Sequence, residues 1–242
     1  MKRLFPVLLI AAAAFSCSRG LSTEVYSDNI TMPAAESGAD SLFMTISLEY
    51  VKGGLPDAAG KEINRGIISR AFDLYDAPES IEDAASAYRE NLIDEYLTEY
   101  SHGNPVTWED NLEGSFSGKY RSWLTYSLSY YSYKGGAHGL QTVSPIVFDS
   151  GTGAIIGEDD IFTPGYQDAV AGLLRKSIAG SMSSEDPELE SLVAMESVMP
   201  NNNFSVGAGG VTWYFQPYEI GPYALGVVSA TIPWNELEPY LK

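Results

Sequence analysis

The chain has one cysteine, Cys17, and this limits how it can be held together. No disulfide can close within it and no thiol cluster can build a zinc site, so the folded part must rest on a hydrophobic core alone. With 242 residues, 45% of them hydrophobic, a core for one larger or two small domains is within reach. Cys17 follows Met1-Lys2-Arg3, an apolar run from Leu4 to Phe15, and the small residue Ser16. Two positive charges, a short apolar stretch and a small residue predict a secretory signal over residues 1–16. The run is too short to span a bilayer. A cysteine directly after the cut is the residue that bacterial lipoprotein processing acylates. The expected mature chain therefore starts at a lipidated Cys17, exported and held at the membrane of the cell envelope. The other reading is an ordinary cleaved signal followed by an incidental cysteine. On the first reading the anchor is the lipid, at about 0.8 kcal/mol per buried methylene, and no second apolar run of spanning length follows.

Charge narrows the partners. Lys and Arg number 14 against 32 Asp and Glu, and the formal net charge is -18. Without Lys2 and Arg3 the balance is 12 against 32, or -20. Such a body is repelled by phosphate backbones and anionic headgroups, which argues against nucleic acid as a partner. Two readings of the acidity stay open: a solvated surface, or a field that steers a cationic partner.

Along the chain, residues 17–40 are rich in Ser, Ala, Asp, Asn and Gly and read as a tether. From Ser41 to Val51, Leu42, Met44, Ile46, Leu48 and Tyr50 alternate with Thr45, Ser47 and Glu49, the period of a half-buried strand. Asp57 opens a helix to about Tyr75, with Ile63, Ile67, Ile68, Ala71 and Phe72 at helical spacing. A second helix is predicted from about Pro78 to Tyr100, with Asp76 and Glu79 as a capping box and Ile81, Ala85, Tyr88, Leu92 and Tyr96 as its stripe. Strands follow at Trp108–Ser117, Tyr120–Tyr133 and Leu140–Phe148, then a tight turn over Asp149-Ser150-Gly151-Thr152-Gly153. Short helices are expected at Glu158–Phe162, Tyr166–Ala179 and Pro187–Ser197, and strands at Phe204–Val206, Val211–Phe215 and Tyr223–Ile232. Helices and strands in blocks predict α+β, antiparallel sheets with packed helices in two small modules, residues 41–118 and 119–242.

The segment Lys134-Gly135-Gly136-Ala137-His138-Gly139 is the most unusual in composition. Its glycines suit positive φ between two strands. His138 then serves as a base or partner contact, or it is a hairpin histidine bonded to backbone. A serine hydrolase needs Ser, His and an acid to converge, and no G-x-S-x-G elbow is present. Zinc has only His102 and His138 to draw on, and His102 sits where a helix C-terminus is expected. Asp149, Glu158, Asp159 and Asp160 are hard oxygen ligands, but their spacing is not that of a twelve-residue calcium loop. Glu158 and Asp159 more simply complement a helix dipole. No metal, cofactor or catalytic residue is therefore expected. Tyr120, Trp123, Tyr126, Tyr130, Tyr131 and Tyr133 crowd one strand, and Trp213, Tyr214, Phe215, Tyr218 and Tyr223 another region. Rings favour strands for packing alone, and they also stack on sugars or anchor interfaces.

One ordered set of short motifs is more specific than its parts. It runs Tyr133 with Gly135-Gly136-Ala137-His138-Gly139, then Phe148-Asp149, Thr152-Gly153, Asp159-Asp160-Ile161-Phe162 and Asn203-Phe204. It ends with Phe215-Gln216-Pro217-Tyr218-Glu219-Ile220-Gly221-Pro222-Tyr223-Ala224 and Gly226. From about Tyr120 onward the chain thus resembles the RsiV/PdaC-like bacterial envelope domain of unknown function. That domain occurs in a lysozyme-sensing anti-sigma factor and beside polysaccharide deacetylase domains; residues 41–117 look like the smaller module that often precedes it. The resemblance implies a two-part α+β fold outside a membrane and offers lysozyme binding as a precedent. It carries over no mechanism, because the paired histidines of the deacetylase partner are lacking.

The expectation is a non-enzymatic lipoprotein that binds a basic protein such as lysozyme, or a cell-wall component such as peptidoglycan. The contact residues expected are Tyr133, Gly135, Gly136, His138, Gly139, Tyr218 and Tyr223, with Pro217 and Pro222 fixing the backbone beside the two tyrosines. The rival is a hydrolase or esterase acting on cell-wall or surface glycan, with His138 as base and Asp149 or Glu219 as its partner. A third reading is an accessory subunit that acts only within a complex.

Overall fold

Strict alternation along residues 41–48 places Leu42, Met44, Ile46 and Leu48 at 1% exposure or less, with Phe43, Thr45 and Ser47 on the opposite face. The computed structural model describes residues 21–33, 41–103, 106–185 and 191–242; the signal segment 1–16 and Cys17 lie outside the described residues. Strand β2 (Ser41–Gly53) is the second strand of a six-stranded sheet. Its neighbour β1 (Ser22–Pro33) pairs antiparallel along its whole length, from Ser22 against Gly53 to Pro33 against Ser41. Residues 22–33 are thus a strand and not the expected tether. Tyr26, Asp28, Ile30 and Met32 face inward at period two, but Asp28 interrupts the apolar set, which hid it from a hydrophobicity pattern. Arg89 closes on Asp28 at 2.8 Å and lets that carboxylate sit half inside.

Helix α1 (Asp57–Ala71) buries Ile63, Ile67 and Ile68 against β2. Each fully buried Ile contributes about 1.5–3 kcal/mol. Pro56, not Asp57, is its N-cap, and Asp57 sits in the first turn, where a carboxylate complements the helix dipole. Helix α2 (Ile81–Ser101) is capped by Ser80, whose hydroxyl accepts from the Asp83 N–H at 3.2 Å; the expected Asp76–Glu79 capping box lies before the helix begins. His102 is the C-cap of α2. The two helices return the chain to the end where β2 began, so β3 (Trp108–Tyr120) pairs parallel to β2, the exception in a sheet of antiparallel ladders.

Strand β4 (Trp123–Tyr133) forms a long antiparallel hairpin with β3, from Glu109 against Tyr133 to Tyr120 against Trp123. The expected module boundary at 118/119 lies at the end of β3 in this hairpin; buried members of the first core run to Phe148, and those of the second start at Val147. Two short strands, β5 (Leu140–Val143) and β6 (Ile146–Asp149), share β4 as partner. The single strand expected there is split at Ser144-Pro145, because proline has no N–H to give the ladder.

The second core starts with a one-turn helix α3 (Glu158–Ile161) and α4 (Gln167–Glu185). Helix α4 packs on a three-stranded antiparallel sheet of β7 (Phe204–Gly207), β8 (Gly210–Phe215) and β9 (Val228–Pro233). Val170, Leu174, Ile178, Trp213 and Ile232 meet between them. Of the helix expected at Pro187–Ser197, the described part holds only a 3-10 turn at Met195–Ser197. Tyr223 belongs to a 3-10 turn, Tyr223–Leu225, rather than to the last strand. The α+β class with antiparallel sheets and packed helices is what the structure has. No described helix is long and apolar enough to cross a membrane.

The small sheet leans on the outer face of the large one. Thr125, 1% exposed, points out of the large sheet; its hydroxyl donates to the Val206 carbonyl at 2.8 Å and accepts from the Val206 N–H at 2.9 Å. The Gln216 side chain makes the same kind of double bond to Val143, accepting from its N–H at 3.1 Å and donating to its carbonyl at 2.6 Å. Asn203 donates to that carbonyl as well, at 3.0 Å. These joints set the position of everything carried by the loops after β4 and β8.

Candidate functional site

The loop between β4 and β5 is shaped by close approach. Gly135 and Gly136 adopt φ of 98° and 94°, where side chains are disfavoured. The Tyr133 hydroxyl reaches over this turn to donate to the Gly136 carbonyl at 3.2 Å. Gly139 is buried beneath the Tyr131 ring; a Cβ there would lie 2.6 Å from ring atoms. The strand direction this imposes leaves His138 exposed on the rim.

The facing wall comes from the segment after β8. The Glu219 N–H bonds the Gln216 carbonyl at 3.0 Å, with Pro217 and Tyr218 at the two central turn positions. Tyr218 takes φ of 71°, a position at which such turns favour glycine. Glu219 locks the turn from outside: one carboxylate oxygen accepts from the Gln216 N–H at 2.7 Å and the other from the Asn201 amide at 2.7 Å. Pro222 then leads into the 3-10 turn that presents Tyr223.

His138 and Tyr223 stack face to face, centroids 3.6 Å apart and planes at 14°. The Tyr223 hydroxyl donates to the Gly139 carbonyl at 2.6 Å, which pins the ring across the hairpin. His138 Nδ1 lies 3.1 Å from the same carbonyl. A carbonyl only accepts, so Nδ1 is the donor in this contact, and Nε2 lies 3.2 Å from the Tyr218 hydroxyl. Tyr218, 62% exposed, completes a three-ring platform at 5.8 Å from Tyr223. The structure thus brings Tyr133, Gly135, Gly136, His138, Gly139, Tyr218 and Tyr223 into one connected patch.

The carboxylates that a hydrolytic reading assigns to His138 are engaged elsewhere. Glu219 is held by Asn201 and Gln216 as described. Asp149 organises its own turn: one oxygen accepts from the Gly151 N–H at 3.0 Å and the Thr152 N–H at 2.9 Å, the other from the Ser122 hydroxyl at 2.8 Å. The Ser122 bond, followed by those from Thr152 and Gly151, holds the Asp149 carboxyl below its ordinary range. Because the folded value is the lower one, its stabilisation is full above the unfolded value near 4 and fades as pH falls through the folded value. Asp149→Ala is therefore expected to lower the melting temperature at neutral pH and to lose most of that deficit in acid. A pH-independent deficit would rule this account out.

Three of the four acids considered for calcium, Asp149, Glu158 and Asp160, are also spent on structure. Asp160 accepts from the Gly157 N–H at 2.8 Å, and Glu158 is 5% exposed and bonded within the second core. Among the described residues no group of three or more His, Cys, Asp or Glu is placed to hold a metal. Of the crowded aromatics, Tyr126, Trp213 and Phe215 are core. Sequence reasoning missed Asn201 and the joint at Thr125. It singled out the segment Gln216–Tyr223 through its two prolines, but read Glu219 as a partner for His138 rather than as the residue that holds the Gln216 turn.

Part of the chain is similar to a described family, and its fold to solved structures. Residues 159–235 match the model of a family described as a protein of unknown function, DUF3298. A crystal structure of a DUF3298 family member from Bacteroides fragilis NCTC 9343 superposes with a TM-score of 0.77 at 22% identity, covering 93% of this chain and 96% of that one. A DUF3298 family protein from Pseudomonas aeruginosa PAO1 gives 0.69 at 19% identity, with 92% and 94% covered. At these identities the shared property is the fold. No protein of curated function matches the sequence.

Proposed function

We propose that the folded part is a non-enzymatic binding module of the bacterial cell envelope, tethered through a lipidated Cys17, whose His138–Tyr218–Tyr223 platform contacts its partner. The partner is a basic protein such as lysozyme, or a cell-wall component such as peptidoglycan. One observation carries the reading: Tyr218 is held at φ 71° and 62% exposed. A non-glycine residue there costs about 1–2 kcal/mol, and the fold spends it on an exposed ring rather than on a core contact. The resemblance to RsiV/PdaC-like domains supports the envelope setting, and the net charge of -18 suits a cationic partner. Against a hydrolytic role for His138 stands its surroundings, with both ring nitrogens bonded to a carbonyl and a phenol.

Titration of the soluble body with lysozyme and with peptidoglycan fragments tests this. Tyr223→Ala is expected to weaken binding by about 2 kcal/mol, the scale of an aromatic hot spot. Tyr218→Gly is expected to weaken binding while changing stability by less than about 1 kcal/mol, because relief of the strained backbone offsets the lost ring contacts. A large loss of stability in Tyr218→Gly makes that ring structural and removes the argument. Binding to a basic protein should weaken as salt rises and the screening length shrinks from about 10 Å to about 3 Å; stacking on sugar should hardly change. Failure of both partners to bind at micromolar concentration ends the proposal.

A further inference from the structure

Beside the platform, and built from other residues, a groove of about 610 Å³ runs between the outer face of the large sheet and the small sheet. One wall is β3, β4 and β5, with Ser127 and Gln141; the other is β7, β8 and β9, with Ser205, Thr212, Tyr214 and Thr231. In a chain of net charge -18 no Asp, Glu, Lys, Arg or His lines it. Its hydroxyls are paired in a way that leaves capacity. Thr212 and Thr231 bond each other at 2.8 Å, and Ser205 and the Tyr214 phenol lie 3.2 Å apart. Each pair consumes one O–H, so each leaves one donor and several lone pairs for a guest. Val143 and Val227 add apolar patches, and Tyr214 lines the same wall.

We infer that this groove binds a segment of uncharged polysaccharide. Alternating hydroxyl, amide and small apolar contacts match the equatorial hydroxyls and C–H faces of a neutral sugar chain. An anionic chain would be repelled by the surrounding acidic body, and a cationic one would find no ion pair inside. The volume lies within the roughly 300–1,000 Å³ of small-ligand sites, and two rigid sheets joined at Thr125–Val206 and Gln216–Val143 hold the walls in place beforehand. The glycines of the β7–β8 turn open the rim: a Cβ at Gly207 or Gly209 would meet nothing within 4 Å.

This site is independent of the aromatic platform, and the experiment separates them. Wild-type soluble body is titrated by NMR or calorimetry with chito-oligosaccharides of N-acetylglucosamine and with a neutral glucan oligosaccharide. Two variants are read alongside. Thr212→Val/Thr231→Val replaces both partners of one hydroxyl pair by groups of the same shape, which is nearly neutral for stability. Gly207→Gln places a side chain into open groove. Binding of a neutral oligosaccharide that weakens about tenfold or more in both variants, with Tyr223→Ala unaffected, supports the inference. No binding at millimolar sugar, binding that both variants retain, binding lost with Tyr223→Ala instead, or preference for an extended peptide over sugar overturns it.

Discussion

Glu158→Ala is expected to destabilise the protein by about 3–5 kcal/mol, a fall of roughly 10 °C in melting temperature for a chain this size. Glu158 opens α3 and is 5% exposed. One carboxylate oxygen accepts from the Trp213 indole N–H at 2.7 Å and the Asn202 N–H at 2.8 Å. The other accepts from the Tyr166 hydroxyl, and burial together with that carboxylate raises the Tyr166 phenol above its ordinary value. The Glu158 N–H in turn donates to the Asn202 side chain at 2.9 Å, holding Asn202 at φ 59°. Alanine leaves two buried side-chain donors and a backbone N–H without their acceptor, and empties space beside Trp213, itself fully buried. Glu158→Gln keeps the shape and an acceptor oxygen, so it should cost clearly less. Chemical unfolding in urea measures both; an alanine cost below about 1 kcal/mol would refute the assignment.

The second large effect is expected at the joint. Thr125→Val preserves shape but removes a hydroxyl that serves two backbone groups of Val206, both deeply buried. Each orphaned group costs about 1–3 kcal/mol, so the loss is about 2–6 kcal/mol. Thr125→Ser keeps the hydroxyl and should recover most of it. The location matters more than the sum. Thr125 belongs to the large sheet and Val206 to the second core, so the variant should also loosen β7 against β4. Hydrogen exchange at β7 is expected to speed up more than exchange within β2. Close packing at Gly118, where a Cβ would sit 2.7 Å from the Val206 carbonyl, leaves little room to compensate. Uniform exchange across both sheets would show that the joint carries no special weight.

The elements read most directly from sequence were those whose burial is one-sided and regular. Alternation in Leu42, Met44, Ile46 and Leu48 and helical spacing in Ile63, Ile67 and Ile68 are properties of the chain itself. Strand β1 escaped because the partner that makes it a strand is β2, and because Asp28 takes an inward place with Arg89, sixty-one residues away, beside it. The cap of α2 shifted from Asp76 to Ser80 because competing capping signals stand four residues apart, and the packing of Ile81 and Ala84 decides between them. Pro145 announces a break, but not that both halves return to β4.

For the candidate site the division is similar. Glycines with positive φ, two prolines and an isolated His138 drew attention to the right segments, since such residues mark backbone that ordinary side chains cannot follow. Their convergence could not be read: residues 138 and 223 are far apart in the chain, and they meet where Gln216 and Asn203 bond Val143 and the Tyr223 hydroxyl bonds Gly139. Local pattern, then, determined which segments are strand, helix or turn and which face each buries, because period and sterics act within a few residues. Tertiary structure alone decided that Glu219 and Asp149 serve turns instead of His138, and that two hydroxyl-rich faces enclose a groove. Long-range hydrogen bonds and the packing of two cores make those choices, and neither leaves a signature at short spacing.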